Sequence, residues 1–250
     1  YLIAPSELHP LINVTAVDWL AERRPDLRRV ALCSQTDALG LPSLATYRAA
    51  FAAAGIAISH EIRYDPSERD AAAMVSAMMA TDPDILCWCT SHTPMVHALT
   101  EAAFAAGFTG QILTCALDGY ARLAARTSPG FLEGTLFQFP DFDDPALAER
   151  AIFFNRPAAF FDSYTRRFPD SWSAVSWEYA ATLDIWHAAV RRAGSVAPVS
   201  VLAAMKQSGE VNHTFGPARW WGEEIFGISN ALIGDWPVVT IRDGRARIVA

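Results

Sequence analysis

The stretch WCTSHTPMV, Trp88–Val96, sets a thiol, hydroxyls and an imidazole within a few residues of one another. Two kinds of chemistry are open to such a group. Cys89 as a thiolate, with His92 nearby, would act as a nucleophile or a proton-abstracting base. Thr90, Ser91 and His92 as neutral donors and acceptors would instead hold a polar ligand. Three further polar clusters follow apolar runs: Gln35-Thr36-Asp37-Ala38-Leu39-Gly40, Ala116-Leu117-Asp118-Gly119-Tyr120, and Pro140-Asp141. Asp37 and Asp118 are the acids of the first two, and a carboxylate either pairs with an amine or braces a turn.

Other chemistries lack their residues. There is no G-x-G-x-x-G and no G-x-x-x-x-G-K-[ST] for a nucleotide, and no G-x-S-x-G for a serine nucleophile. His92 and His97 are five apart, a spacing that does not share a helical face, so no metal site and no cofactor are expected. Cys33, Cys87, Cys89 and Cys115 show no C-x-x-C pair and sit in apolar runs, where buried free thiols are the ordinary outcome. A thiol enzyme remains an alternative. Cys89-Thr90 has a faint similarity to the Cys-Thr loops of aspartate and glutamate racemases, with Cys33 or Cys115 as the opposed thiol. His92 as a plain loop histidine, Asp118 as a turn residue, and Trp88, Tyr120 and Trp220-Trp221 as packing are the simpler readings beside the functional ones.

The chain of 250 residues is 52% hydrophobic and carries a net charge of −7. The first figure allows a sizeable core; the second disfavours nucleic acid, which demands clustered Lys and Arg. No apolar run reaches the roughly 18 residues of a membrane span. Tyr1-Leu2-Ile3-Ala4-Pro5 has neither the basic start nor the apolar core of a signal peptide, and the chain is expected to be a processed or cut piece.

The elements that must position these clusters alternate. Residues 29–34, 57–64, 85–89, 111–115 and 134–139 read as short, mostly apolar strands. Between them lie helical patterns: one stops at Gly55, one opens with Ser67 as N-cap and Asp70 three residues on, and one starts at Thr93-Pro94 and ends near Gly107. A period of about 25–30 residues is that of a βαβ unit, and continuous apolar strands belong to a parallel sheet covered on both faces. Residues 28 to 140 therefore read as a doubly wound α/β layer. In such sheets ligands bind at the carboxyl ends of the strands, where the polar clusters lie.

The rhythm changes at Asp141-Phe-Asp-Asp-Pro145, a candidate hinge. Helical segments are expected over 146–168, 173–193 and 199–208, with no sheet of their own. Strand-like pieces follow at 215–220, 236–242 and 245–249, around the turn Asp243-Gly244.

Five segments, VALCSQTDALG, DPDILCWCTSHTPMV, GQILTCALDG, FFDSYTRRFPDSW and FGPARWW, in this order and spacing, resemble the type I periplasmic binding proteins. The nearest branch is the branched-chain amino-acid (Leu/Ile/Val) receptors of ABC transporters. The resemblance runs over nearly the whole chain, and no single motif is diagnostic. It implies two α/β lobes joined by crossovers, with a ligand held between them and no catalysis. On that plan residues 1–140 are the second lobe, 141–210 the hinge and helices of an incomplete first lobe, and 211–250 a crossover with strands returning to the second. The family's opening segment is expected to be missing. Uncovered helices over 146–194 would then favour a dimer.

The family's acid for a ligand amine falls at Asp118. Its aromatic before a glycine falls at Leu39, and its loop tyrosine at His92, so both depart from the amino-acid pattern. The ligand-facing set is thus Gln35, Thr36, Asp37, Leu39, Thr90, Ser91, His92, Asp118 and Tyr120. What the resemblance implies is a periplasmic or other extracytoplasmic protein that binds a small amino acid or related carboxylate or amine and docks on an ABC permease, with a sensory domain of the same fold as the other reading.

Overall fold

In the computed structural model, residues 9–89, 92–142, 157–174, 176–207, 211–213 and 216–250 are described. Among them are ten strands: β1 (Arg29–Gln35), β2 (Ala57–Tyr64), β3 (Ile85–Trp88), β4 (Gln111–Thr114), β5 (Leu136–Phe137), β6 (Val211–His213), β7 (Gly216–Trp221), β8 (Ala231–Gly234), β9 (Val239–Arg242) and β10 (Arg245–Ile248). The chain divides into two compact units, one from His9–Asp141 with Pro237–Ala250, the other within Phe142–Trp236.

The larger unit holds a seven-stranded sheet of order β10-β9-β5-β4-β3-β1-β2. Strands β1 to β5 are parallel, and β9 and β10 add an antiparallel edge. Helices α1 (His9–Arg23), α2 (Gly40–Ala53), α3 (Ala71–Met79), α4 (Thr93–Ala105), α5 (Tyr120–Arg126) and α6 (Pro129–Leu132) accompany it. Side chains alternate across a strand, so one set of positions meets each helical layer. Val30, Leu32, Ile85, Cys87, Cys89 and Leu113 pack with Ala16, Val17 and Leu20 of α1 and Leu44, Tyr47 and Phe51 of α2. The intervening positions meet the other layer. The Cys33 sulfur lies 4.0 Å from the Met74 sulfur of α3, and the Trp88 indole donates to the Thr100 hydroxyl of α4 at 3.1 Å. Both faces being covered explains why these strands read as unbroken apolar runs.

Several local expectations are corrected. Helix α3 is capped by Asp70, whose carboxylate accepts the Ala73 amide at 2.9 Å, and not by Ser67, which is held in a turn by Asp65. A carboxylate beside the first free amides does the capping that was assigned to the earlier hydroxyl. Helix α1 was not expected, although Ile12, Ala16, Val17 and Leu20 form its buried stripe. The strand expected over 134–139 is only Leu136–Phe137, extended by a bridge from Phe139 to Ala116.

The smaller unit also differs from expectation. It has a sheet of its own, the antiparallel β6-β7-β8. Residues 211–236 thus do not join the large sheet, and the return to it begins only after Trp236. Helices Ser176–Ala193 and Pro198–Lys206 share a core with this sheet through Ile185, Ala189, Val201, Met205, Ala218 and Leu232. Helix Pro157–Arg167 turns Phe160, Phe161 and Tyr164 onto Trp172. The rest of the segment expected over 146–168, and most of the candidate hinge, lie outside the described residues.

Candidate functional site

The parallel strands run in the order β2-β1-β3-β4-β5, so the connections change direction between β1 and β3. A doubly wound sheet opens a crevice at that switch point, outside the carboxyl ends of the strands. The loops after β1, β3 and β4 all reach this edge. Ser34, the penultimate residue of β1, knits it together: its buried hydroxyl lies 2.9 Å from the Gly40 carbonyl and 3.0 Å from the Cys89 carbonyl.

The loop after β1 is braced from within. Asp37 accepts the Leu39 and Gly40 amides at 3.0 and 2.7 Å and the Gln35 side-chain amide at 2.7 Å. The Gly40 amide, with help from Gln35 and Leu39, holds the Asp37 carboxyl below the usual carboxylate range. Thr36 bonds the Tyr64 carbonyl through both its amide and its hydroxyl, at 2.9 and 3.2 Å. A Cβ on Gly40 would stand 2.2 Å from the Gln35 carbonyl oxygen, so only glycine lets α2 start this close to the strand. Gln35, Thr36 and Asp37 thus shape the loop, while Leu39, 62% exposed, presents apolar surface beside it.

Asp118 follows β4 and is 2% exposed; Asp141, after β5, is 4% exposed. The Asp118 carboxylate accepts the Thr93 hydroxyl at 2.7 Å, and Asp141 accepts the Gly119 amide at 2.8 Å. Gly119 has φ 63°, a left-handed turn that lets the loop fold between the two acids. Tyr120 leaves this group. It is buried, and its hydroxyl accepts the Ala246 amide of β10 at 3.2 Å, which makes it a tie between α5 and the sheet edge.

A second tie from α4 reaches the same loop. His97 lies 2.7 Å from the Asp118 carbonyl through Nε2, and its Nδ1 lies 2.8 Å from an Arg126 guanidinium nitrogen. Arg126 in turn bonds Glu101 at 2.5 Å. A guanidinium only donates, so Nδ1 is the acceptor and the proton sits on Nε2. Burial pushes the His97 imidazole below its usual range; the bond to Asp118 opposes this and the neighbouring Arg126 charge adds to it. His97 was weighed only as a metal ligand, and the burial of Asp141 was not expected. Thr93, His97 and Glu101, four apart on one face of α4, were the available signal.

His92 is exposed and is the N-cap residue of α4, its carbonyl accepting the Met95 and Val96 amides. Thr93 is the first helical residue, and its hydroxyl turns to Asp118. Thr90 and Ser91 lie outside the described residues. Cys33, Cys87, Cys89 and Cys115 are all buried free thiols. Burial pushes the Cys33 and Cys87 thiols far up, which removes the thiolate that covalent catalysis uses. Among the described residues no His, Cys, Asp or Glu cluster could hold a metal ion. An open depression of about 390 Å³, lined by Arg24, Asp82, Asp84 and Phe108 among others, lies at the opposite, amino end of the strands.

A sequence profile described as periplasmic binding protein matches residues 5–245. No curated protein sequence matches the chain. Among solved structures, a leucine-binding protein from Thermotoga maritima superimposes with a TM-score of 0.69 at 18% identity over 97% of this chain and 65% of its own. A fatty-acid ABC transporter substrate-binding protein from Thermomonospora curvata gives 0.68 at 18% identity, over 96% of this chain and 61% of that one. A solute-binding protein from R. palustris, in complex with benzoate, gives 0.71 at 13% identity, over 98% and 63%. The chain thus spans about two thirds of the length of these structures. The shared fold is the mixed α/β lobe with a mostly parallel sheet described above.

Proposed function

Because the chain belongs to the periplasmic binding protein family, we propose that it is an extracytoplasmic solute-binding protein of an ABC importer. Its ligand is a small amino acid or a related carboxylate or amine. The observation that carries this reading is the pair of buried acids, Asp118 and Asp141, joined through Gly119 at the carboxyl edge of the parallel sheet. Ligands of doubly wound sheets bind at that edge, and a carboxylate removed from water gains most from a cationic partner. Asp118 takes the ligand amine, held in place by Thr93. His92 and the loop from Gln35 to Leu39 form the rest of the wall. Leu39 supplies an apolar surface where an aromatic would favour a ring-on-chain contact.

No helix among the described residues is long and apolar enough to cross a membrane. The importer partner is a membrane permease that reads the ligand-loaded form. The relatives' ligands, leucine, a fatty acid and benzoate, span amine-bearing and amine-free acids. Asp118 favours the first kind, since a second carboxylate opposite it would repel.

The test is a thermal-shift screen of the full chain against amino acids, small amines and small carboxylates. A ligand at a hundred times its Kd stabilises by about 2.7 kcal/mol, which raises the midpoint by roughly 5–10 °C for a chain of this size. Asp118→Asn is expected to weaken an amine ligand about 10- to 100-fold by calorimetry. A screen with no responding compound sinks the ligand-binding reading. A responding amine that Asp118→Asn binds equally well leaves that reading standing and removes Asp118 from the site.

A further inference from the structure

We propose that His97 is the positioning residue of the Asp118 loop, and that Arg126 sets the tautomer through which it acts. The inference rests on the reading of Asp118 as a ligand group, but its geometry concerns the loop itself. Helix α4 grips residue 118 twice. Thr93 bonds the carboxylate at 2.7 Å, and His97, one turn later, bonds the carbonyl of the same residue at 2.7 Å. Side chain and main chain of Asp118 are therefore referenced to one rigid element. The chain then turns through Gly119, whose amide is fixed by Asp141.

The grip on the carbonyl depends on which ring nitrogen carries the proton. With the proton on Nδ1, the ring would face Arg126 with a donor against a donor and offer the Asp118 carbonyl a lone pair, so both bonds would fail. Arg126 prevents this by donating to Nδ1 at 2.8 Å, and Glu101 anchors Arg126 in turn. The charged or titratable groups facing the ring are Arg126 from α5, Glu101 from α4 itself and Asp118 from the loop. Protonation puts a second proton on Nδ1. The contact with Arg126 becomes a repulsion between cations, and the polar tie from α5 to α4 is left to Arg126 and Glu101.

Acid therefore acts on the loop in a defined order. Above the ordinary histidine range the ring is neutral, and both bonds are made. Below it the Arg126 contact breaks first, while the Nε2–H bond to Asp118 can persist. A ligand bound at Asp118 would then meet a loop still bonded to α4 but braced less firmly from α5.

The experiment reads the loop without any ligand. Nitrogen NMR of the His97 ring in the full chain is expected to show an Nε2–H tautomer at about pH 8. Hydrogen-exchange protection of the Gly119 and Tyr120 amides, corrected for intrinsic rates, is expected to fall about tenfold in His97→Phe. His97→Gln keeps a donor near the Nε2 position but cannot titrate. It is expected to retain the protection and to lose its pH dependence between about pH 8 and about pH 5. Arg126→Gln is expected to raise the pH at which His97 titrates, with the fold intact. An Nδ1–H ring at neutral pH overturns the proposal, and so does unchanged loop protection in His97→Phe. Neither result bears on whether Asp118 binds an amine, which the calorimetry of Asp118→Asn decides separately.

Discussion

The two units bury their apolar side chains to different degrees. In the larger one, β1 and β3 are sealed on both faces, and Trp88, Tyr47 and Phe51 have no solvent exposure. In the smaller one, Leu183 and Trp186 are 65% and 45% exposed on one helix, and Val196, Val199, Ile225, Phe226 and Ile228 are exposed around it. A parallel sheet with helices on both faces is complete in itself. The three-stranded antiparallel sheet of the smaller unit shares a core with two helices through Ile185, Ala189, Val201, Met205, Ala218 and Leu232. The larger unit holds the more completely buried core, and its core is where substitutions act most strongly on stability.

The contrast is broken most severely by emptying the larger core. Phe51→Ala removes a ring buried between α2 and the sheet and is expected to cost about 3–5 kcal/mol, read by denaturant unfolding. A loss below about 1 kcal/mol would mean that this core is loosely packed. Gly40→Ala comes next. The new methyl would meet the Gln35 carbonyl at 2.2 Å, and the expected cost is about 1–3 kcal/mol with a displaced α2 start. An unperturbed Gly40→Ala would show that helix and strand can part at the candidate site without penalty.

Acid gives a graded effect with a definite sign. The His97 pKa lies below its ordinary value of 6.5 in the folded chain, so the unfolded chain binds more protons in the window beneath 6.5. The stability His97 provides is full above 6.5 and is lost as pH falls through its folded value. The carboxyls of Glu61, held low by Arg48 and then Arg63, and Asp37, held low by the Gly40 amide, act lower, beneath 4.5 and 3.8. Unfolding midpoints measured downward in pH should therefore fall in two steps. His97→Gln should remove the first alone. A first step that survives in His97→Gln would assign it to another group.

The larger unit was legible in the sequence because β1, β3 and β4 are short, mostly apolar runs that end in polar loops. The strand alternation pointed to the carboxyl edge before any pairing was known, and the family resemblance accounts for Asp118. The order β2-β1-β3-β4-β5 was not legible, since pairing between distant strands leaves no local trace. Helix α1 escaped because the polar Asn13 stands within its buried stripe. Tyr120 looked like a loop residue beside Asp118, yet helix α5 begins there and turns its ring to β10. His97 escaped for the opposite reason. It sits inside a helix, and its partners Asp118 and Arg126 are 21 and 29 residues away, so the spacing of Thr93, His97 and Glu101 is the one local trace. In the smaller unit the short strands β6 and β8 carry too few residues to show a period.

The smallest effect sharpens the comparison from the other side. Leu183→Gln replaces an exposed apolar side chain on the helix Ser176–Ala193 with a polar one of similar helix propensity. Its expected change in stability lies within about 0.5 kcal/mol, because little apolar area returns to water. Hydrogen exchange of the β1 and β3 amides should be unaltered, since these strands belong to the other unit. Ile185, two residues on, is buried in the small core, and Ile185→Ala should cost about 2–5 kcal/mol of that unit's local stability by the same measurement. The pair separates the two faces of one helix. A loss above about 1 kcal/mol in Leu183→Gln would mean that the residue is covered in solution, and the difference in burial between the units would shrink accordingly.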